Sequence, residues 1–151
     1  MVLDVLRTPK EWIREQVKAL RRDSRLPYRE HLARRLDFLL RALAEEEESL
    51  AEDSPESLRQ MLLFLEALPE FRCPTITVTP LATFRAQWLE SPTRHFAVDF
   101  LPDGQIRFVV FAPDPGHPER VERVSGIVSV ANAMKTIETY QVHRWAADAG
   151  A

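Results

Sequence analysis

One cysteine and four histidines carry most of the nucleophile, acid–base and soft-metal chemistry open to this chain of 151 residues. Cys73 with a histidine would make a nucleophile pair; the plainer reading is a small buried thiol where a sheet begins. His31, His95, His117 and His143 show no metal-ligand spacing, and one thiol cannot build a structural zinc site. A centre assembled from distant His and Asp residues is the one metal arrangement left open. His95 and Asp99 fall on the same face of one predicted strand, but four residues separate their positions by about 13 Å, too far for a dyad. The pairing of strands instead puts Asp99 opposite Arg107, where an ion pair is expected. His117, in Asp114-Pro115-Gly116-His117-Pro118, belongs to an exposed loop. Glycines stand only at 104, 116, 126 and 150, so no glycine-rich phosphate loop exists and dinucleotide and P-loop chemistry is excluded. No catalytic residue, metal or cofactor is expected.

Charge gives the other candidate surface. The formal net charge is −3, which removes bulk basicity as a reason for nucleic-acid binding. The average hides two blocks: residues 7–41 carry +6, residues 42–70 carry −8, and residues 71–151 balance. Within the first block Lys10, Arg14, Lys18, Arg21 and Arg25 recur at spacings of four, four, three and four. On a helix they share roughly 80° of arc. Two readings apply: a solvated face, paired with the acids of 45–56, or a docking surface for an acidic protein or for phosphates. Phe38 lies off the leucine stripe of its own helix. It is either a contact inside the helical layer or an exposed anchor for a partner.

These residues must be positioned by helices first and strands later. Thr8-Pro9-Lys10-Glu11 is a cap, a first-turn proline and the Glu of a capping box, opening a helix that ends near Arg25, before Pro27. Trp12, Ile13, Val17 and Leu20 are its apolar side. A second helix runs from Pro27 or Tyr28 to the mid-forties, with Leu32, Leu36, Leu39, Leu40 and Leu43 inward and fraying expected at Glu45 to Glu48. Ser54-Pro55-Glu56 opens a third, with Leu58, Met61, Leu62 and Leu65 as its core side. Eight of the eleven prolines then lie between 69 and 118, where strand patterns take over. Thr75 to Thr79 and Thr83 to Trp88 precede the clearest feature, the hairpin of Arg94 to Leu101 and Gln105 to Phe111. Leu101-Pro102-Asp103-Gly104 suits a type I turn with a glycine bulge. Phe96, Val98 and Phe100 then share a face with Ile106, Phe108 and Val110. Val121 to Val130 is the next strand, with Gly126 a bulge or close approach, and Ala131 to Trp145 a closing helix. The fold class is α+β: three N-terminal helices, an antiparallel meander of four to five strands and a C-terminal helix. Residues 1–70 form a helical segment and 71–151 the sheet with its closing helix, packed as one unit.

The strand ending in Trp88, then Arg94-His95-Phe96-Ala97-Val98-Asp99-Phe100 and Pro102-Asp103-Gly104, resembles a group of small uncharacterised bacterial proteins encoded beside toxin–antitoxin and mobile-element genes. This resemblance of residues 75–145 implies an accessory or neutralising role. Arg25 followed after five residues by His31 resembles the spacing in helical HEPN ribonucleases, with Pro27 interrupting it and Leu26 replacing the usual polar residue. A lone cysteine and the lack of a secretory leader or long apolar run point to a cytoplasmic protein outside the membrane. The leading expectation is a non-catalytic protein-binding module, antitoxin-like or immunity-like. Its partner surface would include Lys10, Arg14, Lys18, Arg21, Arg25 and Phe38. The alternatives are a nucleic-acid-binding accessory protein using the basic face of the first helix, and a small nuclease.

Overall fold

Thr8 starts the first helix as its side chain requires: the hydroxyl oxygen accepts the Glu11 backbone N–H at 3.2 Å, with Pro9 in the first turn. The computed structural model describes residues 7–45 and 50–147. Helix α1 spans Pro9–Asp23 and buries Ile13, Val17 and Leu20, while Trp12 is half-buried under the Arg7 guanidinium. Helix α2, Arg29–Glu45, buries Leu32, Ala33, Leu36 and Leu40. Leu39 and Leu43 are half-buried at the margin, and the acids 46–48, where fraying was expected, lie outside the described residues. Arg21 joins the two helices, reaching Asp37 at 2.9 Å and Glu30 at 3.2 Å.

Helix α3, Ser54–Glu66, departs from the cap-then-proline pattern. Asp53 is the capping position and makes no side-chain cap bond. Ser54 is buried inside the first turn; its hydroxyl donates to the Ala82 carbonyl at 2.7 Å and accepts the Ala51 N–H at 3.0 Å. Ser57 is buried as well. Its hydroxyl donates to the Phe100 carbonyl and accepts the Phe84 N–H, satisfying two backbone groups where a strand pair ends. These serines fasten α3 to the sheet, and Phe64 meets Phe100 edge-on at 5.3 Å.

The sheet is an antiparallel meander in the order β1-β2-β3-β4-β5. Its strands are β1 Thr75–Val78, β2 Phe84–Ser91, β3 Arg94–Phe100, β4 Gln105–Pro113 and β5 Val121–Ser129. Phe96, Val98, Phe100, Ile106, Phe108 and Val110 are all buried, so the hairpin face is the one the alternation dictates. At its turn Gly104 has φ +88° and its N–H bonds the Leu101 carbonyl, the left-handed geometry that needs glycine there. Gly126 does not bulge. It sits in continuous register opposite Phe108, whose ring is 3.8 Å from where a Cβ would stand. The irregularity falls between Leu89 and Ser91 instead.

The closing helix is two pieces, α4 Val130–Thr139 and α5 His143–Ala146. Gln141 takes φ +52°; its N–H bonds Glu138 and that of Val142 bonds Ile137. These are the two bonds of a Schellman stop, and the accompanying apolar contact is made by buried Val142 and Ile137. Chain closure follows. Arg72 N–H bonds the Ala146 carbonyl at 2.8 Å, and Trp88 Nε1 donates to the Arg72 carbonyl. One continuous core runs from Ile13 to Ala146.

Candidate functional site

Among the described residues the helices cover one face of the sheet and leave the other open. Antiparallel register sorts the open face into rows running across the strands. One row reads Thr77, Arg85, Asp99, Arg107, Ile127; the next, two residues along, reads Thr75, Gln87, Ala97, Val109, Ser125. The third reads Leu89, His95, Phe111, Arg123. Ala97, Val109 and Ser125 of the middle row form a floor between taller outer rows. The result is a cleft of about 450 Å³, in the size range of ligand sites. It is deep enough at the centre that Ala97 and Asp99 are only 8% and 5% exposed, although no helix among the described residues lies over them.

Asp99 corrects an expectation. Arg107 does face it in register, but the carboxylate is held by Arg85 from the other neighbouring strand. Both Asp99 oxygens are engaged, one by Arg85 Nε and one by Nη2, the latter at 3.0 Å. Such a two-point, charge-assisted pair also holds the guanidinium in charged form, and the Arg85 pKa rises from hydrogen bonding to Asp99. Arg107 is thereby left facing the cleft without an ion-pair partner among the described residues. Arg123 reaches the Ser125 hydroxyl at 3.3 Å and lies over the Phe111 ring at 5.9 Å. Three arginines against one carboxylate give the cleft a charge of +2 within a chain of −3.

His95 faces Gln87 Oε1 at 3.1 Å and stacks on Phe111 with ring centroids 6.2 Å apart. Burial, followed by the nearby Arg85 charge, lowers its pKa from the ordinary 6.5. The cleft thus gathers His95 and Asp99, two of the residues from which an active site would be built, without coupling them. Ala97 stands between them, Arg85 occupies Asp99, and Gln87 occupies His95. Cys73 is half-buried away from the cleft, with its thiol directed to the Pro74 carbonyl and its pKa pushed up to about 11 by burial. That thiol is not a thiolate at neutral pH. Asp114 instead organises its own loop, accepting the Gly116 and His117 N–H groups; His117 is exposed. These bonds, Gly116's above all, lower the Asp114 pKa. Among the described residues no three His, Cys, Asp or Glu side chains stand close enough to hold a metal ion.

The residues singled out for charge lie elsewhere, in the helical layer. Arg14 and Lys18 are exposed on α1, where Lys18 pairs with Glu15 at 3.4 Å. Arg21 is committed to Glu30 and Asp37 of α2 among the described residues. Lys10 is half-buried beside an apolar recess that includes Leu40, Leu43 and Leu50. Arg25 is exposed in the connection after α1 and His31 is exposed on α2; the connection is not helical, so their spacing is not that of one helix face. Phe38 is 53% exposed on α2 with Arg35 over its ring, and so is not a contact of the helical interior. Sequence reasoning passed over Arg85, Gln87, Phe111 and Arg123. The signal for them is the odd-numbered alternation of β2, β4 and β5, which becomes a site only once strand order is known.

No family model, no curated protein and no solved structure matches this chain. No helix among the described residues is long and apolar enough to cross a membrane.

Proposed function

We propose that the chain is a non-catalytic binding module whose open sheet face receives an acidic segment of a protein partner. One observation carries this reading: a cleft, uncovered among the described residues, in which Arg107 and Arg123 have no acidic partner there and which exposed Ile127 helps to line. Arginine and apolar side chains side by side are what protein interfaces enrich. A local excess of positive charge in a concave surface attracts carboxylates although the chain as a whole is negative. An antitoxin-like or immunity-like role is the biological form of this proposal and rests on the resemblance of residues 75–145 alone. The test uses the immobilised protein and an extract of its native host, treated with protease or with nuclease. A retained component that survives nuclease, is destroyed by protease, elutes with salt and is weakened by Arg107→Glu supports the reading. Loss of the component on nuclease treatment overturns it.

Nucleic-acid binding is the second reading, and Phe111 favours it. A ring flanked by His95 and Arg123, two residues that line the cleft, is a surface on which a base stacks. The stripe of Lys10, Arg14, Lys18, Arg21 and Arg25 adds less than its five charges suggest, because Arg21 and Lys18 already have acidic partners. The nuclease arm of the same experiment separates the two readings.

A further inference from the structure

The two edges of the sheet are built differently. Exposed edges carry unpaired backbone N–H and C=O groups, and proteins blunt them with short strands, proline, lysine, bulges or a covering element. Edge strand β1 follows that rule: it has four residues, with Pro74 before it and Pro80 shortly after it. Edge strand β5 does not. It has nine residues, contains neither proline nor lysine, and keeps unbroken register with β4 from Val121 to Ser129. Among the described residues its substantial neighbours are β4 and α4, and α4 turns Ala133 and Ile137 into the core. Every open-face residue of β5 is exposed, Ile127 by 51%.

We infer that β5 is completed by an added strand from the protein partner, carrying an acidic side chain opposite Arg123 and an apolar one opposite Ile127. This mode rests on the binding-module reading and specifies how the partner enters. A strand laid beside β5 extends all three rows of the cleft by one position. The position next to Arg123 then continues the row of His95 and Phe111, and a carboxylate there makes the cross-strand pair that Arg123 lacks among the described residues. The position next to Ser125 suits a small side chain, and the one next to Ile127 an apolar side chain. Main-chain bonds supply affinity and these alternate side chains supply selectivity.

A second copy of this chain fits the edge less well. A closed dimer of one continuous sheet pairs the strands antiparallel and sets open-face residues against open-face residues. Arg123 would then meet Val121, Arg123, Ser125, Ile127 or Ser129 of the copy. The strand's one acid, Glu122, points to the other face, so self-pairing leaves Arg123 without a carboxylate.

The experiment uses the full chain and a fluorescent peptide, acetyl-Thr-Val-Thr-Ser-Thr-Glu-Thr-amide, whose Val, Ser and Glu align antiparallel with Ile127, Ser125 and Arg123. Two further peptides carry N-methyl groups on one or the other alternate set of amides, and another has Lys in place of Glu. Anisotropy titration and amide hydrogen exchange are the readouts. The parent peptide is expected to bind and to protect amides of β5, not β1. One methylated set weakens binding by about tenfold or more, and the other set, facing solvent, does not. Arg123→Glu, at an exposed site and checked for an unchanged melt, weakens the Glu peptide and restores binding to the Lys peptide. Equal binding by both methylated sets overturns strand addition and leaves the module reading intact. Absence of binding at millimolar peptide, protection at β1, or β5 protection that grows with protein concentration alone also overturns it. Nuclease sensitivity of the host component sinks the module reading independently of any peptide result.

Discussion

Asp99 shows why a central-strand residue is hard to assign from one hairpin. Each such residue has two cross-strand neighbours, and the turn at Gly104 reveals only the one on β4. The arginine that takes the carboxylate is Arg85, on the other side. Asp99→Asn is therefore expected to lower the unfolding free energy by ~1–3 kcal/mol, as for a hydrogen-bonded charged group, whereas Arg107→Gln stays within ~0.5 kcal/mol. Denaturant midpoints of the two variants decide between the partners, since an Asp99–Arg107 pair would make the two losses similar. His95 adds a pH dependence. Its folded pKa lies below the ordinary 6.5, so as the pH falls below about 6.5 the unfolded chain takes up the proton first and stability drops. Melting temperatures across that window are expected to fall less steeply for His95→Gln; parallel curves would remove His95 as the source.

At the scale of elements, the hairpin was legible because two independent signals agree. Alternation with period two fixes the face, and Pro102-Asp103-Gly104 fixes the register. Phe108→Ala should cost about 3–5 kcal/mol because the ring is buried; an unchanged denaturation midpoint would contradict that placement. The break of the C-terminal helix was not legible, because Gln141 is not a residue that announces a left-handed turn. Tertiary packing of Val142 and Ile137 imposes it. Gln141→Gly is expected to raise stability by about 1 kcal/mol, by removing the Cβ from a left-handed backbone. A lowered melting temperature would mean that the side chain itself holds the turn. Ser54 and Ser57 teach the same lesson. Their neighbourhood reads as a helix start, yet their hydroxyls serve the loop carbonyl of Ala82 and the ends of β2 and β3.

For the whole molecule, α1, α2, α3, the sheet and the C-terminal turns contribute to one core, and residues 71–72 bond back to residues 145–147. The helical and sheet halves are thus expected to unfold together. With Trp12 and Trp145 replaced by Phe, the fluorescence of Trp88 reports the sheet, and far-UV circular dichroism weights the helices. Coincident transitions are the expected result, and two separated ones would divide the chain near residue 70.

The amino-acid sequence by itself determined the α+β order, the buried hairpin face, the first-helix cap and the exclusion of phosphate-loop chemistry. These depend on local periodicity, turn residues and composition, which act over a few neighbouring positions. It also placed Lys10, Arg14, Lys18 and Arg21 on one helix; Arg25 lies beyond the end of that helix, and the acids that Arg21 finds on α2 were not legible. Tertiary structure decided which face of the sheet stays open, that Arg85 and not Arg107 holds Asp99, and that His95, Arg107 and Arg123 line one cleft. The physical reason is distance along the chain. Residues on β2 through β5 become neighbours only through strand order and register, and neither is written within any one strand.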